Sequence, residues 1–315
     1  MGSEGRKKGI IAALASAAFL GAVPIFGKLA MLFGFSPLAV IAVRTTIAAT
    51  LMLILMLVNM RPFFYIYPIG IVGCLLAGFI NGLGSILYYS ALSRIDAGVG
   101  AMLYSFYPLF VALWLLVDRQ PITRLTVFRL VLTLPAVILL LIPGQRPVDI
   151  MGALMMLASA CLYALHMLIN QRILFEAPAP TVTFYTLLAM ALTVDAALLI
   201  SHQWLPSFTI PWWPVLAMAL ITFFSRFALF MGIKHLGGLQ TALLGLAELV
   251  VTVVLAQVWL GEHLSYWQWI GAVMLIITLM LVGFEKITPQ KRSSTGMLAW
   301  LNAPKVKPTD FPWGS

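Results

Sequence analysis

Residues 212–260 read WWPVLAMALITFFSRFALFMGIKHLGGLQTALLGLAELVVTVVLAQVWL. Two long apolar runs flank Gly237-Gly238. A bilayer core is about 30 Å thick and a helix rises about 1.5 Å per residue, so about 20 apolar residues span it. Each run is long enough, and the glycines between them make a turn. Arg226 lies eleven residues before Gly237 and Glu248 lies eleven after it. In an antiparallel hairpin the two therefore sit at one depth, near mid-span. An ionisable group there costs about 2.5–3.5 kcal/mol on insertion scales unless it is paired or hydrated. The pair reads either as an ion pair locking two helices or as the lining of a cavity that binds a solute or exchanges a proton.

The rest of the 315-residue chain has the same character: 62% hydrophobic, 9% charged, mean hydropathy +1.02. Soluble domains run about 45–50% apolar and about 25% charged. A water-soluble globule of this composition would expose large apolar patches, and disordered chains are poor in apolar residues. An all-α integral membrane protein remains. Ten spans can be drawn, roughly 9–33, 37–59, 66–92, 97–117, 124–142, 149–172, 181–201, 212–234, 238–260 and 266–285. Turn and charge signals separate them, among them Ser36-Pro37, Arg61-Pro62, Arg94-Ile95-Asp96, Pro143-Gly144 and Pro178-Ala179-Pro180. Loops this short make consecutive helices antiparallel neighbours. Arg6-Lys7-Lys8 followed by Ala15-Ser16-Ala17 resembles a signal peptide, but the apolar run continues to about Phe35 and reads as an uncleaved first span. Cys74 and Cys161 both lie in apolar runs and read as buried, inert thiols. The tail after Lys286, rich in Pro, Ser, Lys and Arg, reads as disordered.

The net charge of +9 reflects loop lysines and arginines rather than nucleic-acid binding. With a cytoplasmic N-terminus, thirteen basic residues fall inside, including Arg6, Lys7, Lys8, Arg61, Arg119, Arg124, Arg172, Lys234 and those of the tail. Only two, Arg94 and Arg146, fall outside, and both termini are then cytoplasmic. Trp204, Trp212, Trp213, Trp259, Trp267 and Trp269 cluster at the outer interface as an aromatic belt would.

Internal similarity divides the chain. Leu14-Ala15-Ser16-Ala17 in the first span recurs as Leu157-Ala158-Ser159-Ala160 in the sixth, and Pro37 matches Pro180 at the same offset of 143. Asp96-Ala97-Gly98 before span four resembles Leu236-Gly237-Gly238 before span nine. The expected organisation is a cytoplasmic N-terminus (1–8), two five-helix repeats (9–142 and 149–285) and a cytoplasmic tail (286–315). Because five is odd, the second repeat enters the membrane from the opposite face. Inverted repeats of this kind form midplane sites that open alternately to the two sides.

Further segments carry a family resemblance. They are Ser36-Pro37-Leu38-Ala39-Val40-Ile41-Ala42-Val43-Arg44, Tyr88-Tyr89-Ser90-Ala91-Leu92, Ala97-Gly98-Val99-Gly100-Ala101 and Pro108-Leu109-Phe110. The second half adds Ala242-Leu243-Leu244, Leu260-Gly261-Glu262-His263-Leu264 and Trp269-Ile270-Gly271-Ala272. In order and spacing the chain resembles the EamA-type branch of the drug/metabolite transporter superfamily over residues 9–285. It departs from that pattern at Gln120-Pro121, where the family usually has Gly-Glu, and at Leu249, where it usually has proline. The resemblance implies ten helices, cytoplasmic termini and transport of small metabolites such as amino acids, often as efflux, across a prokaryotic plasma membrane.

Lys28, Arg44, Arg129 and Arg226 are the basic residues within spans, and Asp195 and Glu248 the acids. Arg129 lies near a span end and can snorkel. Lys28 and Arg44 either face a water-filled cavity or an anionic group, or else Lys28 snorkels outward and Arg44 caps backbone carbonyls. They are taken as gating or structural positions, and Asp195 as local and structural. The candidate substrate-binding residues are Asn81, Ser85, Tyr88, Tyr104, Tyr107, Tyr163, His166, Arg226 and Glu248. Asn81 and Ser85, like Tyr163 and His166, share a helix face by their i, i+4 and i, i+3 spacing. Aromatic rings with polar tips suit a pocket for a small amphipathic solute. Glu248 and His166 are the candidates for proton coupling. The stripe Ala13, Ala17, Gly21 and the pair Gly78, Gly82 read as close helix contacts. Pro24, Pro108 and Pro135 read as kinks.

No cofactor or metal is expected, and no H-E-x-x-H, paired intramembrane aspartates or nucleophile–base pattern points to an enzyme. The expected partners are a small-molecule substrate and the lipid bilayer. A homodimer and proton coupling are both compatible with the sequence, and nucleic acid is not expected. The alternative reading is a non-transporting membrane scaffold or receptor-like protein.

Overall fold

The structure, a computed structural model, describes residues 3–119, 124–141, 149–203, 205–206, 209–261, 265–280 and 296–301. Trp204, Gln120-Pro121 and Glu262-His263-Leu264 lie outside these residues, as does the side chain of Arg129. The described residues form helices joined by short turns, with no strand among them. The helices are α1 (Ser3–Leu32), α2 (Pro37–Asn59), α3 (Pro68–Leu92), α4 (Ala97–Tyr104), α5 (Tyr107–Val117) and α6 (Arg124–Leu141). They continue as α7 (Ile150–Leu174), α8 (Ala179–Ile200), α9 (Trp213–Leu236), α10 (Gly238–Gly245), α11 (Ala247–Leu260) and α12 (Tyr266–Met280). Counting α4 with α5 and α10 with α11, eight of these are long and apolar enough to cross a membrane among the described residues. Each buries between 44% and 56% of its apolar window, so its other face is left for lipid.

Proline stands in the first two positions of α2, α3, α5, α8 and α9, where no intrahelical N–H is needed. Ser36 caps α2, its hydroxyl accepting from Ala39 N at 3.2 Å. Gly237 stops α9 with φ of 86°, a conformation in which a Cβ would be strained, and the chain turns directly into α10.

Spans four and nine, drawn from the sequence as continuous helices, are each broken. The first break falls at Ser105-Phe106, after Tyr104; both residues keep right-handed helical angles, and Pro108 in the first turn of α5 stands where the sequence placed a kink. The second falls at Leu246, after Gly245, 141 residues beyond the end of α4. No proline follows that break within the first turn of α11; its turn is held by Leu246 N to Leu243 O and Leu249 N to Leu246 O, at 3.3 and 3.1 Å. Gly245 lies beside the Tyr107 hydroxyl, and a Cβ there would collide with it.

The packing partners of the two halves exchange. α1 packs along α9, as α7 does along α3. α1 touches α10 and α11, as α7 touches α4 and α5; α2 meets α8, and α6 meets α12. The matching tetrapeptides do matching work: Ser16 Oγ on α1 donates to Ser225 O on α9 at 3.0 Å, and Ser159 Oγ on α7 donates to Gly84 O on α3 at 2.7 Å. Small residues allow the close approaches. A Cβ on Gly78 would stand 2.5 Å from Ala189 Cβ and Thr186 O on α8, and one on Gly21 would stand 2.6 Å from Glu248 O and Val251 Cβ on α11.

The tail expected to be disordered contains a packed turn among its described residues, 296–301. Leu298 N donates to Asp118 Oδ1 at 2.9 Å, and Asp118 also holds the nearly buried Arg172 in an ion pair. Leu301 is fully buried beside Gly73 and Ile173. The local apolar run Met297-Leu298-Ala299-Trp300-Leu301, masked in the tail's overall polar composition, is what docks.

Candidate functional site

A polar cavity lies between α1, α2, α3, α4, α7, α9 and α11, with about 430 Å³ of space including its open mouth. Helix α1 contributes an apolar wall of Leu20, Val23 and Pro24. Pro24 has no N–H to offer the Leu20 carbonyl, so the helix is locally weakened where it borders the cavity.

Helix α3 supplies the polar floor. Asn81, Ser85, Tyr88 and Tyr89 recur on one helical face, with Gly84 between them. Asn81 Nδ2 donates to Met190 S at 3.0 Å, tying this face to α8. Ser159, Tyr163, Tyr104, Arg44, Arg226 and Glu248 close the ring. The tyrosines form a continuous aromatic wall. Centroids lie 5.2 Å apart for Tyr88–Tyr89, 5.0 Å for Tyr88–Tyr104 and 5.4 Å for Tyr104–Tyr163. The guanidinium carbon of Arg44 stands 4.9 Å over the Tyr89 ring and that of Arg226 stands 5.6 Å over Tyr163. Cations over aromatic faces are held with little loss of hydrogen-bonding capacity at their edges.

Arg226 and Glu248 line this one cavity but form no ion pair within 4.0 Å among the described residues. Both arginines are nearly buried, at 4% and 6% exposure for Arg44 and Arg226. Arg44 reaches Thr222 Oγ1 at 3.4 Å through Nη1, while its Nε, and both Nε and Nη1 of Arg226, have no hydrogen-bond partner in the protein. Buried polar groups are nearly always hydrogen-bonded, so such a cluster marks a site for a polar occupant.

Of the nine expected substrate-binding residues, Asn81, Ser85, Tyr88, Tyr104, Tyr163, Arg226 and Glu248 line the cavity. Tyr107 lines a smaller neighbouring pocket with Tyr104 and Glu248, its hydroxyl donating to Ala242 O at 2.9 Å. His166 lines neither. It is fully buried behind Tyr163, with Nδ1 3.0 Å from Ala77 O and with Asn170 Nδ2 donating to its carbonyl at 2.9 Å. Lys28 is also outside, donating to Leu92 O and Ile95 O at 2.8 and 2.9 Å at the end of α3. Arg44, taken from the sequence as gating or structural, lines the cavity. Asp195 accepts from Thr46 Oγ1 at 2.8 Å, away from the cavity. Tyr89 and Ser159 are lining residues that the sequence reading passed over. Their signal was available: Tyr89 is four residues after Ser85, and Ser159 four before Tyr163. Among the described residues no group of three His, Cys, Asp or Glu stands close enough to hold a metal ion.

The model of the EamA-like transporter family matches residues 7–142 and again residues 150–284. The chain belongs to the EamA-like transporter family. This EamA-like chain is 28% identical over 231 residues to an uncharacterized transporter of Synechocystis sp., covering 69% of the chain and 67% of that protein. A solved crystal structure, described only as that of a protein, superposes on the EamA-like chain with a TM-score of 0.69. It covers 88% of this chain and 97% of its own at 16% identity, a likeness of fold alone.

Proposed function

We propose that this membrane transporter is a secondary active exporter of small metabolites, amino acids or related solutes, that works by alternating access in a prokaryotic plasma membrane. The observation that carries the reading is a polar, tyrosine-walled cavity with Arg226 and Glu248 in its lining, beside two helix breaks at equivalent positions of the two halves. Discontinuous helices at a midplane site are the recurring device of inverted-repeat transporters.

An inverted repeat of two five-helix units, 9–142 and 149–285, is supported by the exchange of packing partners and by the two family matches. The loop charges support ten spans with both termini cytoplasmic, and the packing of α6 on α12 is compatible with them. Glu248 stands in the cavity wall at the first turn of α11, where its charge acts on any solute in the cavity, and it is the favoured coupling group. The sealed environment of His166 favours a structural role for that residue.

Purified protein in liposomes is expected to show saturable flux of a small metabolite. Arg226→Ala is expected to lower that flux by about tenfold or more, and Glu248→Gln to abolish its response to a proton gradient. Wild-type flux in folded samples of both variants would remove these residues from the mechanism.

A further inference from the structure

The cavity has an imbalance of charge that its protein walls do not resolve. Arg44 and Arg226 are its basic lining residues and Glu248 its acid, among the described residues. An arginine in a protein keeps its proton, and a glutamate carries at most one negative charge. Whatever the protonation of Glu248, the lining is therefore never less positive than one unit.

The two arginines are also close together. Arg44 on α2 contacts the Thr222 hydroxyl on α9, and Thr222 precedes Arg226 by one helical turn on the same face. Like charges so placed repel, and no carboxylate lies within 4.0 Å of either among the described residues. Each guanidinium carbon stands over a tyrosine ring, and several N–H groups have no partner in the protein: Nε of Arg44, and Nε and Nη1 of Arg226. The hydroxyl of Tyr89 is a further buried polar atom with no partner. Planar guanidinium edges match a carboxylate bidentately.

We propose that this cavity selects small organic carboxylates of net negative charge, and that Arg44 and Arg226 together are its specificity-determining residues. The proposal rests on the reading of the cavity as the substrate site. It goes beyond that reading by ranking solutes by charge: anions bind ahead of neutral zwitterions, and cations are refused. The rings of Tyr88 and Tyr104 give the solute's apolar part a surface, while Glu248 repels a simple anion when ionised and so is not its anchor.

The test uses the full chain, purified in detergent, and ligand-dependent thermal stabilisation. The probes are 3-phenylpropanoate, phenylalanine and 2-phenylethylamine, which share a skeleton and carry net charges of about −1, 0 and +1 at neutral pH. Succinate and glutamate serve as further anions. At least one anion is expected to stabilise at about tenfold lower concentration than phenylalanine, and 2-phenylethylamine not at all. Arg44→Gln and Arg226→Gln should each raise the half-saturating anion concentration by about tenfold, while Arg44→Lys and Arg226→Lys keep the order of preference. Stabilisation by none of the anions, equal stabilisation by all three charge types, or undiminished anion binding in folded Arg44→Gln and Arg226→Gln would each overturn the proposal. Arginine-dependent anion binding without flux in liposomes would sink the transport reading and leave the selectivity standing. Flux of neutral amino acids with no preference for anions would do the reverse.

Discussion

Asp149 caps α7 from outside the membrane. Its Oδ1 accepts from Met151 N and Gly152 N at 2.8 and 3.1 Å, and Arg94 lies 3.4 Å from Oδ2. The Gly152 and Met151 amides, with Arg94, hold its carboxyl below the ordinary value of 3.8. A group whose folded value is depressed stabilises the fold fully above its ordinary value and ceases to as pH falls through the lowered one. The Tm difference between wild type and Asp149→Ala should therefore be constant near neutrality and close below about pH 4. A difference that persists unchanged into stronger acid would show that the carboxylate is not what caps α7. Within the cavity, the face of α3 was legible because polar residues at i, i+4 spacing in an apolar helix have few explanations. The roles of Lys28 and Arg44 were not. Both are cations at similar depth, and only the neighbouring chain decides that Lys28 meets the open carbonyls of Leu92 and Ile95 while Arg44 meets a cavity.

At the scale of elements, contacts between helices rest on missing side chains. Gly78 and Gly82 face Thr186, Ala189 and Thr193 on α8. Gly78→Val should force α3 and α8 apart and destabilise the protein by about 1–3 kcal/mol, read as a lower midpoint in a denaturation series. An unchanged midpoint would mean that α8 shifts freely. The helix boundaries could be read from proline, glycine and charge, because these residues act locally through φ, a missing N–H or the cost of burial. The two mid-span breaks could not. Pro108 at the first break is compatible with a kink as well as a break, and at the second break Leu249 occupies the equivalent position without any proline. What distinguishes that second site is Tyr107, seated against Gly245 from a helix more than a hundred residues earlier in the chain. The packed turn 296–301 escaped the sequence for the opposite reason: its short apolar run is diluted by the polar tail around it.

At the scale of the whole molecule, the exchange of contacts between halves predicts how it sits in the membrane. If the second five-helix unit enters from the face opposite to the first, both termini lie on one side. A reporter fused after Glu285 should be active in the cytoplasm, and one inserted in the loop at Arg146 should be active outside. The reverse assignment of either would break the inverted arrangement. The same exchange sets the walls of the cavity: α1 and α7, the first helix of each half, both contribute lining residues, and they pack against α9 to α11 and α3 to α5 respectively.

The sequence by itself determined that the chain lives in a membrane, where its apolar segments run and which few ions lie within them. Those properties depend on transfer free energies summed along the chain, to which each residue contributes wherever its neighbours are. It also carried the family, through short segments in a fixed order. Only the tertiary structure decided which ions share a cavity and which are used up elsewhere. Arg44, Arg226 and Glu248 come from α2, α9 and α11 and meet only when these helices pack, while His166 and Lys28, no less polar, are consumed by a buried carbonyl and a helix end. Burial and hydrogen bonding are properties of pairs brought together across the fold, and no count of one chain's residues contains them.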